Sequence, residues 1–157
     1  MRTFLAFLFL LIFIAPVSAG TWGVGHFDND QSLDTSSTWA ESGTVDAIQD
    51  ALSLAVSARY LEAPDAEDAL VAAEVVAASW GKPNKELPAD LSAWMQRQPP
   101  GQLRALGPQA LAAIERVRSP DGSELYELWA DQGLEEWLAQ LDDLASRLDS
   151  EVNRHGP

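Results

Sequence analysis

The sequence contains no cysteine among its 157 residues, and its two histidines are His26 and His155. The lack of cysteine excludes disulfides, thiolate-ligated zinc and a cysteine nucleophile, so the fold depends on packing alone. No Gly-x-Ser-x-Gly motif offers a serine nucleophile. Glu151 and His155 have helical spacing, but they supply at most two metal ligands. We therefore predict no metal site, no cofactor and little capacity for nucleophilic catalysis.

Basic side chains are also scarce, with 10 Lys and Arg against 24 Asp and Glu and a formal net charge of −14. A surface of this sign repels nucleic acids and anionic lipids, whereas it attracts cations and basic proteins. The composition thus argues against nucleic-acid binding. It leaves a basic protein or a cation as the expected partner.

Residues 1–19 have the pattern of a secretory signal peptide. Arg2 gives a short positive start, residues 4–15 are wholly apolar, and Pro16 is followed by a small Val-Ser-Ala sequence. The alternative is an uncleaved anchor, but the apolar run is shorter than the roughly 20 residues that span a bilayer. We expect cleavage before Gly20, no stable membrane insertion afterwards, and export to the periplasm or the medium of a bacterium. Loss of Arg2, the one charged residue of the leader, changes the net charge to −15.

The remaining sequence predicts a single helical domain over residues 20–150. Apolar residues recur at spacings of three and four, and no segment alternates at period two for long enough to form a strand. We predict an all-α fold, a compact bundle of about five to seven short amphipathic helices. Residues 151–157 are polar and predict a flexible tail. The clearest helical seam comes last and consists of Leu134, Trp137, Leu138, Leu141, Leu144, Ala145 and Leu148.

Capping residues predict where individual helices begin and end. Thr44 precedes an amphipathic run and is expected to cap it, and Pro64 is expected to follow its end. Asp65 is the expected cap of the next helix, which is rich in alanine. Gly81 is expected to end that helix.

Residues 20–30 show no helical pattern and alternate glycine with aromatic residues. The structural interpretation is a tight loop in which Gly23 or Gly25 takes a positive φ. Trp22 and Phe27 then anchor the loop to the core.

The same segment has a second interpretation. Its acidic residues predict a cap, with Asp28 or Asp30 at the start of a helix through residues 33–39. Because capping needs one Asp and the segment holds more oxygen donors than that, we also consider a site for a ligand, a cation or a partner. The candidate residues for that site are Gly20, Trp22, His26, Asp28, Asn29 and Asp30.

Known motifs do not account for this segment. The Asp28-x-Asp30-x-Ser32-x-Asp34 spacing resembles a calcium loop, but the turn glycine is missing and Trp39 stands where a bidentate Glu is required. The Gly-x-Gly pair follows no strand and lies in no βαβ unit, which excludes a dinucleotide fingerprint. The adjacent carboxylates of the last helix lie opposite its apolar seam, so we assign them to a solvated face.

Three motifs together suggest a family. They are Gly-Thr-Trp-Gly-x-Gly-x-Phe-Asp-Asn-Asp at residues 20–30, Tyr-Leu-Glu-Ala-Pro at residues 60–64 and Ala-Ala-Glu-Val-Val-Ala-Ala at residues 72–78. On these motifs the chain resembles the bacterial family catalogued as domain of unknown function 4259, over essentially all of residues 20–150. Members usually begin at the opening motif after an initiator methionine and look cytoplasmic, whereas this chain has the predicted signal peptide. The resemblance implies no activity and no catalytic residues.

The sequence as a whole predicts a non-catalytic binding protein. Its acidic surface also fits an inhibitor or immunity-type partner of a basic protein, whose binding would weaken with salt. A hydrolase that uses Asp28 or Asp30 as its base is a third hypothesis. That activity would require a cleft around the carboxylate.

Overall fold

The computed structural model describes residues 23–155, which form eight α-helices and no strand. The all-α prediction is confirmed, although eight helices exceed the expected five to seven. Two additional helices begin at breaks in the chain. One break is formed by Pro99 and Pro100, and the other lies at Gly133, whose φ of 138° favours glycine. The helices are α1 (Asp30–Ser42), α2 (Val45–Ser57), α3 (Ala63–Ser79), α4 (Ala89–Gln96), α5 (Pro100–Ala105), α6 (Gly107–Val117), α7 (Glu124–Ala130) and α8 (Leu134–His155).

Helix α3 forms the centre of the bundle. It contacts each of the other seven helices of the described range, and most of its residues are buried on every side. A helix that is apolar all round has to be surrounded by protein. Its many alanines leave room for close neighbours, and Gly81 ends it as predicted, with a φ of 79°.

Local capping explains some helix starts but not others. Thr44 caps α2 as predicted, because its side chain accepts a hydrogen bond from the amide of Ala47. The predicted cap Asp65 is wrong, since α3 begins at Ala63. The amide of Ala63 donates at 2.8 Å to Oε2 of Glu124, so a side chain of α7 takes the place of a local cap.

Helix α8 confirms the predicted seam and extends beyond the predicted end of the domain. Trp137, Leu141, Leu144 and Leu148 are buried. The helix continues to His155, so residues 151–155 of the predicted tail are helical.

Packing of the two residues after Ser150 explains why the helix is longer than predicted. Glu151 is 4% exposed and accepts a hydrogen bond from Arg154 at 2.9 Å. Gly107 of α6 makes room for Val152, since a Cβ on that glycine would lie 2.6 Å from Cγ2 of Val152. Residues 156 and 157 lie outside the described range. Within residues 23–155 no helix is both long and apolar enough to cross a bilayer.

We expect Leu141→Ala to lower the free energy of unfolding by about 2 to 5 kcal/mol, because it removes buried methyl groups and leaves a cavity. Denaturant melts measure this change. Leu54→Ala is the matched control, since Leu54 is 45% exposed and surface substitutions cost within about 0.5 kcal/mol. Equal effects for the two variants would contradict the assignment of the α8 seam.

Candidate functional site

The N-terminal segment, defined as residues 23–30, packs back on itself before α1 begins. The carboxylate of Asp28 accepts a hydrogen bond from the amide of Gly25 at 2.9 Å. A Cβ on Gly25 would lie 2.6 Å from Oδ2 of Asp28, and a Cβ on Gly23 would clash with the same atom. Neither glycine has a positive φ, so that prediction is wrong. The glycines are needed because the Asp28 side chain approaches their backbone closely.

The predicted cap of α1, Asp28 or Asp30, is also wrong. Asn29 is the N-cap, and its Oδ1 accepts a hydrogen bond from the amide of Ser32 at 2.8 Å. Asp30 is the first helical residue, where a negative charge is favourable. The side chains of Asp28 and Asp30 are both exposed. Capping therefore leaves both carboxylates available at the surface.

Two side chains anchor the segment to the core. Phe27 is buried as predicted, with 6% of its surface exposed, and His26 is equally buried at 5%. The imidazole Nδ1 of His26 lies 2.7 Å from Oε1 of Glu74 on α3. The segment is therefore tied to the central helix by a buried polar contact as well as by an apolar one.

Glu74 is the centre of a buried network. It is 0% exposed, and the two terminal nitrogens of Arg147 on α8 donate to its two oxygens at 2.8 and 2.9 Å. Asn84, in the connector after α3, donates to Oε1 at 3.0 Å. A buried carboxylate is tolerated when its charge is paired and its lone pairs are occupied. Glu74 meets both conditions, through His26, Arg147 and Asn84.

The network holds Glu74 in its ionised form. Burial alone raises the pKa of Glu74, but the hydrogen bonds from His26 and Arg147, together with the positive charge of Arg147, outweigh burial and lower the pKa to about 2. An ionised carboxylate only accepts hydrogen bonds, so Nδ1 of His26 carries the hydrogen of their contact. This fixes the orientation of the imidazole and directs Nε2 away from Glu74.

Glu67 is a second buried carboxyl on the same helix, seven residues before Glu74. It is 3% exposed, and among the described residues its Oε1 has no hydrogen-bond partner. Burial, together with the charge of Asp68, raises its pKa to about 7. Two carboxyls two turns apart on α3 thus differ strongly in proton affinity.

Glu67 and His26 meet at a small cavity, which we call the His26 cavity. Its volume of about 20 Å³ is enough for one water-sized group. Three buried polar atoms without a partner in the described part of the chain belong to its lining residues: Nε2 of His26, Oγ of Ser32 and Oε1 of Glu67. The other residues that line it are Gly23, Val24, Gly25, Asn29, Leu70, Leu125, Trp129 and Trp137.

The structure therefore divides the predicted site residues. His26 and Asn29 line the cavity, whereas Asp28 and Asp30 point to solvent. Gly20 and Trp22 lie outside the described residues, as does the predicted signal peptide. Within residues 23–155 no group of three His, Asp or Glu side chains is placed to hold a metal ion.

Comparison with known proteins identifies the domain. The model of the family described as Domain of unknown function (DUF4259) matches residues 20–140. The chain belongs to this family. The predicted resemblance is thereby confirmed, and residues 1–19 lie outside the matched DUF4259 domain. No curated protein and no solved structure matches the chain.

Sequence reasoning missed the residues that build the core of the candidate site in this DUF4259 domain. The predicted candidates did not include Glu67, Glu74 or Arg147. The sequence does contain a feature that could have identified the first two. Both are charged residues within the apolar, alanine-rich run of α3, and a charge at such a position needs a partner. Nothing in the local sequence indicates that Arg147, 73 residues away, supplies it.

We expect Glu74→Gln to lower the free energy of unfolding by about 3 to 5 kcal/mol at neutral pH, because it leaves the largely buried guanidinium of Arg147 without this counter-charge. The folded pKa of Glu74 is depressed from 4.5 to about 2. Its stabilisation is therefore present above pH 4.5 and lost as the pH falls towards 2. The difference between parent and variant should shrink over that interval in denaturant melts.

The matched control is Asp143→Asn, which removes the other carboxylate partner of Arg147. That side chain is 65% exposed, and exposed ion pairs contribute about 0 to 1 kcal/mol. A loss as large as that of Glu74→Gln, or no pH dependence of the difference, would show that the buried network is not what stabilises the site.

Proposed function

We propose that this chain is an exported, non-catalytic binding protein that recognises a basic partner with its N-terminal segment. The observation that carries the proposal is the contrast between the two sides of that segment. On the inside, Phe27 and His26 fix it to the core. On the outside, Asp28 and Asp30 are exposed. A backbone that is fixed to the core and presents exposed carboxylates loses little entropy on binding.

A neighbouring connector adds to the negative surface. Glu86 is exposed and approaches the same glycine as Asp28, since a Cβ on Gly25 would lie 3.1 Å from its Oε2. Lys85 lies 3.7 Å from the other oxygen of Glu86, but the net charge of −14 still favours and accelerates association with a positively charged protein. An inhibitor or immunity-type partner of a basic protein is a specific form of this function, and the same surface supports it.

A hydrolase has weaker support. A general base needs a cleft in which the substrate reaches it, whereas Asp28 and Asp30 are exposed. The oxygens of Glu74 are already engaged by three side chains. The His26 cavity, at about 20 Å³, has no room for an organic substrate.

Export is supported by the sequence pattern of residues 1–19. We expect the protein recovered from the periplasm or the medium of a bacterial host to begin at Gly20, as judged by its intact mass. Signal peptidase reads small residues at the first and third positions before the cut. Ala19→Tyr should therefore block cleavage, whereas Ser18→Tyr should not. A mass that retains residues 1–19, with the protein in the membrane fraction, would contradict export.

The binding proposal is tested with a lysine-rich peptide and a panel of basic secreted proteins as probes, by calorimetric titration at increasing salt. We expect binding that weakens with salt. Asp28→Asn should weaken it further while preserving the fold, because the amide oxygen still accepts from Gly25 but the charge is gone.

Asp50→Asn is the matched control, since Asp50 is an exposed carboxylate on α2, outside the N-terminal segment. We expect it to leave binding nearly unchanged. Equal losses for Asp28→Asn and Asp50→Asn would show non-specific attraction, and the absence of binding to every probe would contradict the proposal.

A further inference from the structure

The lining of the His26 cavity is rich in hydrogen-bond acceptors. With Nδ1–H donating to Glu74, His26 in its neutral form presents Nε2 as an acceptor. Oε1 of Glu67 and Oγ of Ser32 are acceptors as well, and all three side chains are at least nine-tenths buried. Buried acceptors without partners are costly, so a group that donates to them is stabilised there.

The cavity also lacks a permanently charged cation to match Glu67. No lysine or arginine is among its lining residues. The rings of Trp129 and Trp137 line the same cavity, and they stack with centroids 6.2 Å apart and an interplanar angle of 11°. Aromatic rings and a carboxylate together form an environment that attracts cations.

We propose that the His26 cavity binds one primary ammonium group. Three N–H donors of such a group match the three acceptors of His26, Ser32 and Glu67, and its charge matches the carboxylate. A water molecule donates two hydrogens and carries no charge. The volume of about 20 Å³ admits a single nitrogen with its hydrogens and excludes a trimethylated one.

The proton affinity of Glu67 agrees with this chemistry. Without a counter-charge, burial and the neighbouring Asp68 raise its pKa to about 7. An ammonium group in contact with the carboxylate favours the ionised form and lowers that pKa. Occupancy of the cavity is therefore measurable as a shift in the titration of one carboxyl.

Two sources supply the same ammonium chemistry. One is a free ammonium ion or small primary amine. The other is the amino group of Gly20, which rests on the proposed export, since cleavage creates it. Three residues, which span at most about 10 Å, separate that amino group from Gly23, which lines the cavity.

The test uses the chain that begins at Gly20, once with a free and once with an acetylated amino terminus. Carboxyl ¹³C shifts follow Glu67 against pH in equal concentrations of ammonium, methylammonium or tetramethylammonium chloride. In the acetylated protein we expect a midpoint near 7 in tetramethylammonium. Ammonium and methylammonium should lower it by about one unit or more, a tenfold preference for the ionised site.

The free amino terminus distinguishes the sources. If Gly20 is the occupant, the unmodified protein should show a lowered midpoint in every salt. If the occupant is a free amine, the unmodified and acetylated proteins should behave alike. Either result supports an ammonium site, and neither depends on how the chain is processed in the cell.

Variants test whether the response to ammonium arises at the His26 cavity. Ammonium should raise the melting temperature of the acetylated protein and of Asp34→Asn, which changes an exposed carboxylate of α1. It should not raise that of Glu67→Gln, and Ser32→Ala should respond less than the parent. A Glu67 midpoint in the acetylated protein that is the same in all three salts would overturn the proposal and leave the cavity to water.

Discussion

The pairing of Glu74 with Arg147 is the interaction on which the arrangement of the domain depends. The carboxylate lies in the middle of the central helix with no access to solvent, so its charge has to be matched from inside the protein. Arg147 comes from the last helix, Asn84 from a connector and His26 from the N-terminal segment. Four separate parts of the chain therefore meet at one charge.

Much of the architecture can be predicted from the sequence, because it depends on residues that are close together in the chain. The α8 seam and the Thr44 cap follow from the spacing of neighbouring residues, and both are confirmed. Other features depend on distant partners. Asp28, Asn29 and Asp30 are all good caps by local rules, and the folding of Asp28 over Gly25 selects Asn29.

Prediction of the candidate site is limited in the same way, because part of the site depends on residues that are distant in the chain. His26 and Asn29 are accessible to sequence reasoning because they stand in an unusual segment, and both line the cavity. Glu67 and Glu74 share a helix and a residue type, yet the pKa of one is raised and that of the other lowered. The difference arises because His26 and Arg147 donate hydrogen bonds to one carboxyl and not to the other, which depends on how the N-terminal segment and α8 pack against α3.

The central position of α3 has a consequence for how the domain opens. Since α3 is enclosed by all seven other described helices, no single neighbour can detach and leave its backbone in water. Its amide hydrogens should exchange with solvent only when the whole domain unfolds. The slowest exchange rates of α3 therefore report the global free energy of unfolding directly, even where no denaturant is present.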